Sequence, residues 1–265
     1  MKSKLTNIVD AIKLIEDHHT LGVGGNVLHR APMALVREIA RAKKKSLKVI
    51  KTAGAMDVDV LCAAKCVESV DAGFISYESE YGFANFYRKA VQLGEVKANE
   101  HACYTVISAL RAASFGVSFM PVKGMQVSDL IDANDYFKQI SDPFTNEMVT
   151  VVRAIRPDVT IVHVQEADMY GNAKIYGPVF DDYTLITASK KVIISAEKII
   201  DTSEFMAPVN IPHFMVDAVV KVEGGAIPNS CDRFYDIDVS GIEMFRSNTN
   251  IDEYLRKYEH LDRRG

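Results

Sequence analysis

The sequence has little of several features that would place a protein in a specialised class. It contains no tryptophan and only four cysteines among 265 residues, and its 31 Lys and Arg nearly balance its 35 Asp and Glu. The net charge of -4 therefore offers no excess of positive charge for binding nucleic acid. No Cys-x-x-Cys pair occurs, and a chain of this length needs no disulfide framework. We expect a globular protein that does not bind nucleic acid.

Long apolar runs and metal-binding patterns are also missing. No segment approaches the roughly 18 apolar residues of a membrane span. The basic first four residues precede an amphipathic segment rather than the apolar core of a signal peptide. The histidines, including His29 and the pair His18 and His19, have no partners at ligand spacing. These absences predict a cytoplasmic protein without a membrane segment and without a metal site.

The sequence does have many apolar residues, arranged in short alternating segments. Hydrophobic residues make up 48% of the chain, which is enough for a sizeable core. The apolar runs predict strands at 20–23, 47–50, 70–76, 95–98, 148–152, 159–164 and 192–195. Helical spacing predicts helices at 5–15, 32–41, 57–65, 83–93, 103–115, 181–189 and 250–265.

This alternation predicts an α/β fold, with a largely parallel open sheet and helices on both faces. We expect a single domain over residues 1–265. Its charged last helix, at about 250–265, is expected to be an exposed appendage that packs on a partner.

The segment 22–38 carries the clearest functional pattern. An apolar run enters a turn rich in glycine, and an amphipathic helix begins after Pro32. Glycine lets a backbone approach a ligand closely, and unpaired amides of such a turn and of a helix start can hold an anion. We therefore expect this turn to hold a negatively charged oxygen. The candidate binding residues are Gly24, Gly25, Asn26 and Arg30.

The same segment resembles the alpha-subunit signature of family I coenzyme A transferases. That signature has an acidic residue, here Asp17, then an apolar run, a double glycine and a proline at the helix start. Asn26 replaces the usual aromatic residue, and Arg30 stands where the 3-oxoacid branch has glycine. The stretch 30–38 resembles the glutaconate branch instead. Further blocks similar to that branch follow in its order, at 80–90, 109–124 and 167–172 leading to 190–199.

The resemblance implies a fold and a chemistry. The fold would be the one that CoA transferases share with sugar-phosphate isomerases. The chain would be the alpha subunit of a heteromeric acyl-CoA transferase, paired with a beta subunit of related fold in a heterodimer, an α2β2 assembly or a larger one. A glutamate in a Ser-Glu-x-Gly motif of the beta subunit would attack the thioester, and CoA would pass through a glutamyl-CoA intermediate to a carboxylic acid. The CoA thioester would be a substrate, and no permanently bound cofactor is expected.

Individual residues of this chain then acquire possible roles. Arg30 could pair with a substrate carboxylate or a CoA phosphate, because its side chain binds two oxygens at once. The alternative for Arg30 is a salt bridge at the start of the helix.

Two glutamates are candidates for the chemistry itself. Glu80 lies in a Ser-Glu-x-Gly match at 79–82, although inside an alpha-like block, and would share a face with Glu78 if the segment is extended. Glu100 follows the predicted strand 95–98, at the end where open α/β sheets bind ligands. The resemblance implicates an acid there in ring-opening hydrolases. Both could instead be structural or solvated carboxylates.

Three functions stay open at this point. The first is the transferase alpha subunit, and the second is a ring-opening acyl-CoA hydrolase subunit that uses Glu100 or Glu80. The third is a non-enzymatic module that binds a sugar phosphate at the glycine turn. A partner chain with Ser-Glu-x-Gly predicts transfer, whereas a partner without it predicts hydrolysis.

Overall fold

The main sheet is parallel, as predicted. The structure, a computed structural model, describes residues 1–125, 128–247 and 250–264. The strands are β1 (Thr20–Val23), β2 (Leu47–Gly54), β3 (Val67–Ile75), β4 (Lys97–Glu100), β5 (Phe119–Val122), β6 (Phe137–Ser141), β7 (Met148–Arg153), β8 (Val159–Ala167), β9 (Ala173–Lys174), β10 (Lys191–Ile199) and β11 (Ala218–Lys221). Seven parallel strands lie in the order β11-β10-β8-β1-β2-β3-β4, and β9 pairs antiparallel with β8.

Helices cover both faces of this sheet, which confirms the predicted fold class. The helices of the described residues are α1 (Ile8–Ile12), α2 (Met33–Arg41), α3 (Met56–Ala63), α4 (Glu78–Tyr81), α5 (Asn85–Gln92), α6 (Cys103–Ser114), α7 (Leu130–Ala133), α8 (Asp182–Ala188), α9 (Val239–Ser247) and α10 (Ile251–Asp262). In β8, Ile161 packs into the core with α1, α2 and α3, whereas Val162 packs on the opposite face with α8. Successive side chains of a strand point to opposite faces, so each buried strand serves two cores.

A second, smaller sheet was not predicted. The strands β5, β7 and β6 form an antiparallel sheet in that order. Val152 of β7 and Phe137 of β6 pack with Val106 and Leu110 of α6. The apolar run at 148–152 is therefore a strand, as expected, but it lies outside the parallel sheet.

The last helix is not exposed as the sequence analysis expected. Tyr254, Tyr258 and Asp262 of α10 are buried, and α10 packs against α2. Both carboxylate oxygens of Asp262 accept hydrogen bonds from Arg37, at 2.8 and 2.6 Å. This face is apolar and ion-paired within the chain, so only the remaining face is open to a partner. Gly265, at the end of the predicted helix, lies outside the described residues.

The parallel strands bring their carboxyl ends to one edge of the main sheet. The turn after β1, the ends of β2, β3 and β4 and the first turns of α6 and α8 meet there. Within the described part of the chain, no helix has the length and apolar character that a bilayer span requires.

Candidate functional site

The glycine turn after β1 is packed so closely that side chains would not fit. A Cβ atom on Gly24 would lie 2.7 Å from a carboxylate oxygen of Asp182. Gly25 has a φ of +75°, and a Cβ there would lie 2.6 Å from the backbone of Arg30 and Ala31. The predicted need for glycine is therefore met by contacts within this chain.

The amides of the turn are not available to an external anion, which corrects the sequence-based expectation. The N–H of Gly25 donates to Asp182 Oδ1 at 2.7 Å, and the N–H of Asn26 donates to the carbonyl of His29 at 2.9 Å. At the start of α2, the N–H of Ala34 donates to the Gly225 carbonyl at 2.8 Å. The turn does hold a negatively charged oxygen, but that oxygen belongs to Asp182.

Arg30 is buried beside the same carboxylate. Its guanidinium lies 2.6 Å from Asp182 and donates to the carbonyls of His163 and Pro178 at 2.9 and 3.2 Å. Only 4% of the side chain is exposed. The salt bridge considered from the sequence is therefore present, although it is buried rather than at the surface. Arg30 also forms part of the wall of a cavity of about 630 Å³, together with Tyr176, Phe180, Phe234 and Tyr235. Binding of a substrate anion by Arg30 stays a prediction.

Asn26 differs from its neighbours because its side chain is half-buried and makes no hydrogen bond within the described ranges. Nearby in the fold, Thr52 at the end of β2 donates to Asp181, the residue before α8. Burial and the adjacent charge of Asp182 raise the pKa of Asp181 against the opposing effect of the Thr52 hydrogen bond. Cys103, at the start of α6, donates to the Thr52 carbonyl at 3.5 Å. The sequence analysis missed the Thr52–Asp181 pair, because no local motif marks it.

Glu100 lies at the carboxyl end of β4, as predicted, but not beside the glycine turn. It is exposed and lines a small cavity of about 270 Å³ with Tyr87 and His101. Burial and then the nearby negative groups, Glu100 among them, raise the pKa of Tyr87 to about 12. Because β2 and β3 lie between β1 and β4, strand spacings of about 4.8 Å place Glu100 roughly 14 Å from the turn.

Glu80 lies in a different environment. It is exposed on α4, a single helical turn, where it interacts with Tyr81. The segment is not extended, so the predicted sharing of a face with Glu78 is wrong. Glu78 adopts a φ of 65° at the start of this turn.

A buried network centred on Glu197 was also missed. Its carboxylate accepts hydrogen bonds from His163 at 2.7 Å, Tyr235 at 2.5 Å and the amides of Gly224 and Gly225. Burial raises the pKa of Glu197, but the hydrogen bonds from His163 and Tyr235 outweigh it and hold the pKa below the usual value. These residues come from β8, β10 and the loop after β11, and no sequence spacing connects them.

Among the described residues, His163, Glu197 and Cys231 form a group whose ligand atoms are close enough for a metal ion. The arrangement suits hydrogen bonding better than metal binding. Both oxygens of Glu197 already accept N–H or O–H donors. Burial, together with the charge of Glu197, raises the pKa of Cys231 to about 12, so its thiol keeps its proton.

Exposed aromatic side chains surround the carboxyl edge of the sheet. They come from the end of β3, the segment before α5, and the starts of α6 and α8. These residues, between 40% and 61% exposed, are Phe74, Phe83, Tyr104, Phe180 and Tyr183. Exposed apolar groups concentrated around one edge are typical of a surface that another protein covers.

Comparison with known proteins gives consistent results. A family model described as Coenzyme A transferase matches residues 5–222. The A-type component of glutaconate CoA-transferase from Acidaminococcus fermentans is 30% identical over 280 residues, which cover 97% of this chain and 88% of that component. The crystal structure of that enzyme superposes with a TM-score of 0.90 at 27% identity, over 98% of this chain and 94% of the other.

Two further relatives widen the range. The cholesterol ring-cleaving hydrolase IpdA subunit of Rhodococcus jostii is 30% identical over 238 residues, covering 85% of this chain and 80% of that subunit. An uncharacterized protein of Archaeoglobus fulgidus is 32% identical over 263 residues and 97% of this chain. The chain spans only 59% of that protein's length.

Proposed function

Because the chain belongs to the coenzyme A transferase family and is homologous to the A subunits of heteromeric CoA-transferases, we propose that it acts as the alpha subunit of an acyl-CoA transferase. Its substrates would be a CoA thioester and a carboxylic acid, and a cytoplasmic location is part of the proposal. The family and the subunit type predicted from the sequence are confirmed by these relatives.

The proposed reaction needs a glutamate that attacks the thioester. Its carboxylate adds to the acyl carbonyl and expels the CoA thiolate, leaving an acyl-glutamyl anhydride. The thiolate then attacks the glutamyl carbonyl and releases the first acid, and the resulting glutamyl-CoA thioester passes CoA to the second acid by the same steps in reverse.

One observation carries the assignment of this glutamate to a partner chain. Glu80 is exposed on α4, and Glu100 lies three strands from the glycine turn. Neither glutamate can reach a substrate held at Asn26 without a rearrangement of the sheet edge. A beta subunit docked over the exposed aromatic residues would bring its own glutamate to the turn. We propose an assembly of α2β2 or larger.

This chain would contribute a binding surface and a hydrogen-bond donor. The Asn26 amide could donate to the oxygen that becomes negative as the thioester is attacked, the kind of contact that lowers the barrier of acyl transfer. The cavity beside Arg30 offers room for part of the acyl-CoA. A sugar-phosphate module is less consistent with this geometry, because the turn's amides have partners within the chain.

Co-expression tests the proposal. The chain is produced with the product of the reading frame beside its own gene, and formation of new acyl-CoA from acetyl-CoA and a panel of dicarboxylic acids is followed by chromatography. We expect a heteromeric complex that exchanges CoA, and no exchange by the chain alone. Exchange by the chain alone, or a complex that leaves every acid unchanged, would contradict the proposal.

The hydrolase relatives and the position of Glu100 favour a second candidate, hydrolysis of a cyclic acyl-CoA. The variant Glu100→Gln separates the two functions, with the exposed Glu95→Gln on the preceding segment as control. If the complex is a transferase, both variants should keep CoA exchange within about threefold, since Glu100 is not placed to react. Loss of about 100-fold in Glu100→Gln alone, together with ring opening by the unsubstituted complex, would favour the hydrolase.

A further inference from the structure

A buried lysine lies directly beneath the glycine turn. Lys51, on β2, is 2% exposed, and its ammonium donates to the carbonyl oxygens of Gly24 at 2.5 Å and Gly25 at 2.9 Å. Its counter-charge is Asp57 at the start of α3, at 3.0 Å. The other oxygen of Asp57 accepts the amide of Val58 at 2.9 Å. The lysine therefore connects the turn to a carboxylate that α3 holds in place.

The turn is also held from its other side. The N–H of Gly25 donates to Asp182, and the N–H of Asn26 donates to the carbonyl of His29. The peptide groups on either side of Gly25 are thus fixed by Lys51 at their carbonyls and by Asp182 and His29 at their amides. The backbone is clamped as far as Asn26, whose side chain has no hydrogen-bond partner among the described residues.

This arrangement is costly for stability alone. Taking an ammonium and a carboxylate out of water carries a desolvation penalty that their attraction often fails to exceed, and apolar residues of similar volume are frequently as stable. Charge-assisted hydrogen bonds are, however, shorter and stronger than neutral ones. Lys51 is therefore better suited to holding two carbonyls in a defined orientation than to stabilising the fold.

We infer that Lys51 is a positioning residue, which holds the turn so that the Asn26 amide is presented to the thioester oxygen of the substrate. The inference deepens the proposed transferase function and depends on it. Lys51 itself would not touch the substrate, and its effect on the reaction would pass through Asn26.

A double-mutant cycle in the complex with the beta subunit tests this. The variants are Asn26→Ala, the charge-free pair Lys51→Met with Asp57→Asn, and all three changes together. The paired change avoids an unpaired buried carboxylate, and the asparagine that replaces Asp57 keeps an oxygen for the Val58 amide. Lys48→Met, on the same strand but largely exposed in its contact with Glu68, is the matched control.

We expect Asn26→Ala to lower kcat about 100-fold, the loss typical of an oxyanion donor. The paired change should cost a similar factor, and the triple variant about the same as either. Lys48→Met should leave kcat unchanged. Circular dichroism and thermal unfolding identify variants that are folded.

The failures are distinguishable. If the unsubstituted complex exchanges CoA but the two losses multiply in the triple variant, Lys51 acts independently of Asn26 and the inference is wrong. Full kcat in the folded paired variant, or in Asn26→Ala, would also overturn it. If the unsubstituted complex forms but exchanges no CoA, the proposed function fails instead.

Discussion

Replacing Asp182 by alanine is expected to lower the free energy of unfolding by about 3–5 kcal/mol, because the change leaves a charged group buried without its partner. The Arg30 guanidinium is 2.6 Å from this carboxylate, and the two side chains are 4% and 0% exposed. The N–H of Gly25 would lose its acceptor in the same variant. The glycine turn would then be held only from the Lys51 side, so CoA exchange should fall as well.

Urea denaturation followed by circular dichroism measures this effect. The control is Glu223→Ala, which removes a carboxylate from a pair with Lys221 at the surface, 3.2 Å apart and 74% exposed on the glutamate side. We expect that control to change stability by less than about 1 kcal/mol. The variant Asp182→Asn keeps an oxygen for Gly25 and should fall between the two. A loss below about 1 kcal/mol in Asp182→Ala would show that the ion pair does not hold the turn.

Replacing Asp262 by alanine is expected to cost a similar 3–5 kcal/mol or so, for the same physical reason. Arg37 is fully buried and donates to both oxygens of Asp262. Arg41 donates to one of the same oxygens at 2.7 Å. Without this carboxylate, two guanidinium groups on α2 lose their counter-charge and α10 loses its main polar attachment.

Hydrogen exchange of α10, together with urea denaturation, measures the consequence. Glu259→Ala is the matched control on the same helix, since its pair with Arg263 is about half exposed. That control should stay within about 1 kcal/mol of the unsubstituted protein. If α10 keeps its protection in Asp262→Ala, the helix is held by its apolar face alone, and the role given to the ion pair is wrong.

The sequence predicted the elements around the site better than the contacts that complete it. The strand at 20–23 and the helix that begins after Pro32 are present as β1 and α2. A local pattern can show that a turn requires glycine, because backbone conformation and close approach are local properties. It cannot show which group approaches, and Asp182 lies 157 residues further along the chain. The turn was therefore predicted correctly, but its anion was assigned to a ligand.

The same limit explains the last helix. A charged segment is usually solvated, and the sequence of α10 gave no sign that Asp262 would meet Arg37 and Arg41. The position of Glu100 at a strand end followed from the sequence, whereas its distance from the turn depends on the strand order. The strand order is a property of the whole sheet, which a single sequence does not specify.

Mapping the covalent intermediate tests the central claim most directly. The purified complex is incubated with acyl-CoA and then hydroxylamine, which converts a glutamyl-CoA thioester to a stable hydroxamate, and the labelled peptide is identified by mass spectrometry. Our account predicts the label on a glutamate of the beta subunit, with Glu80 and Glu100 of this chain unmodified. A label on Glu80, or on another glutamate of this chain, would contradict it.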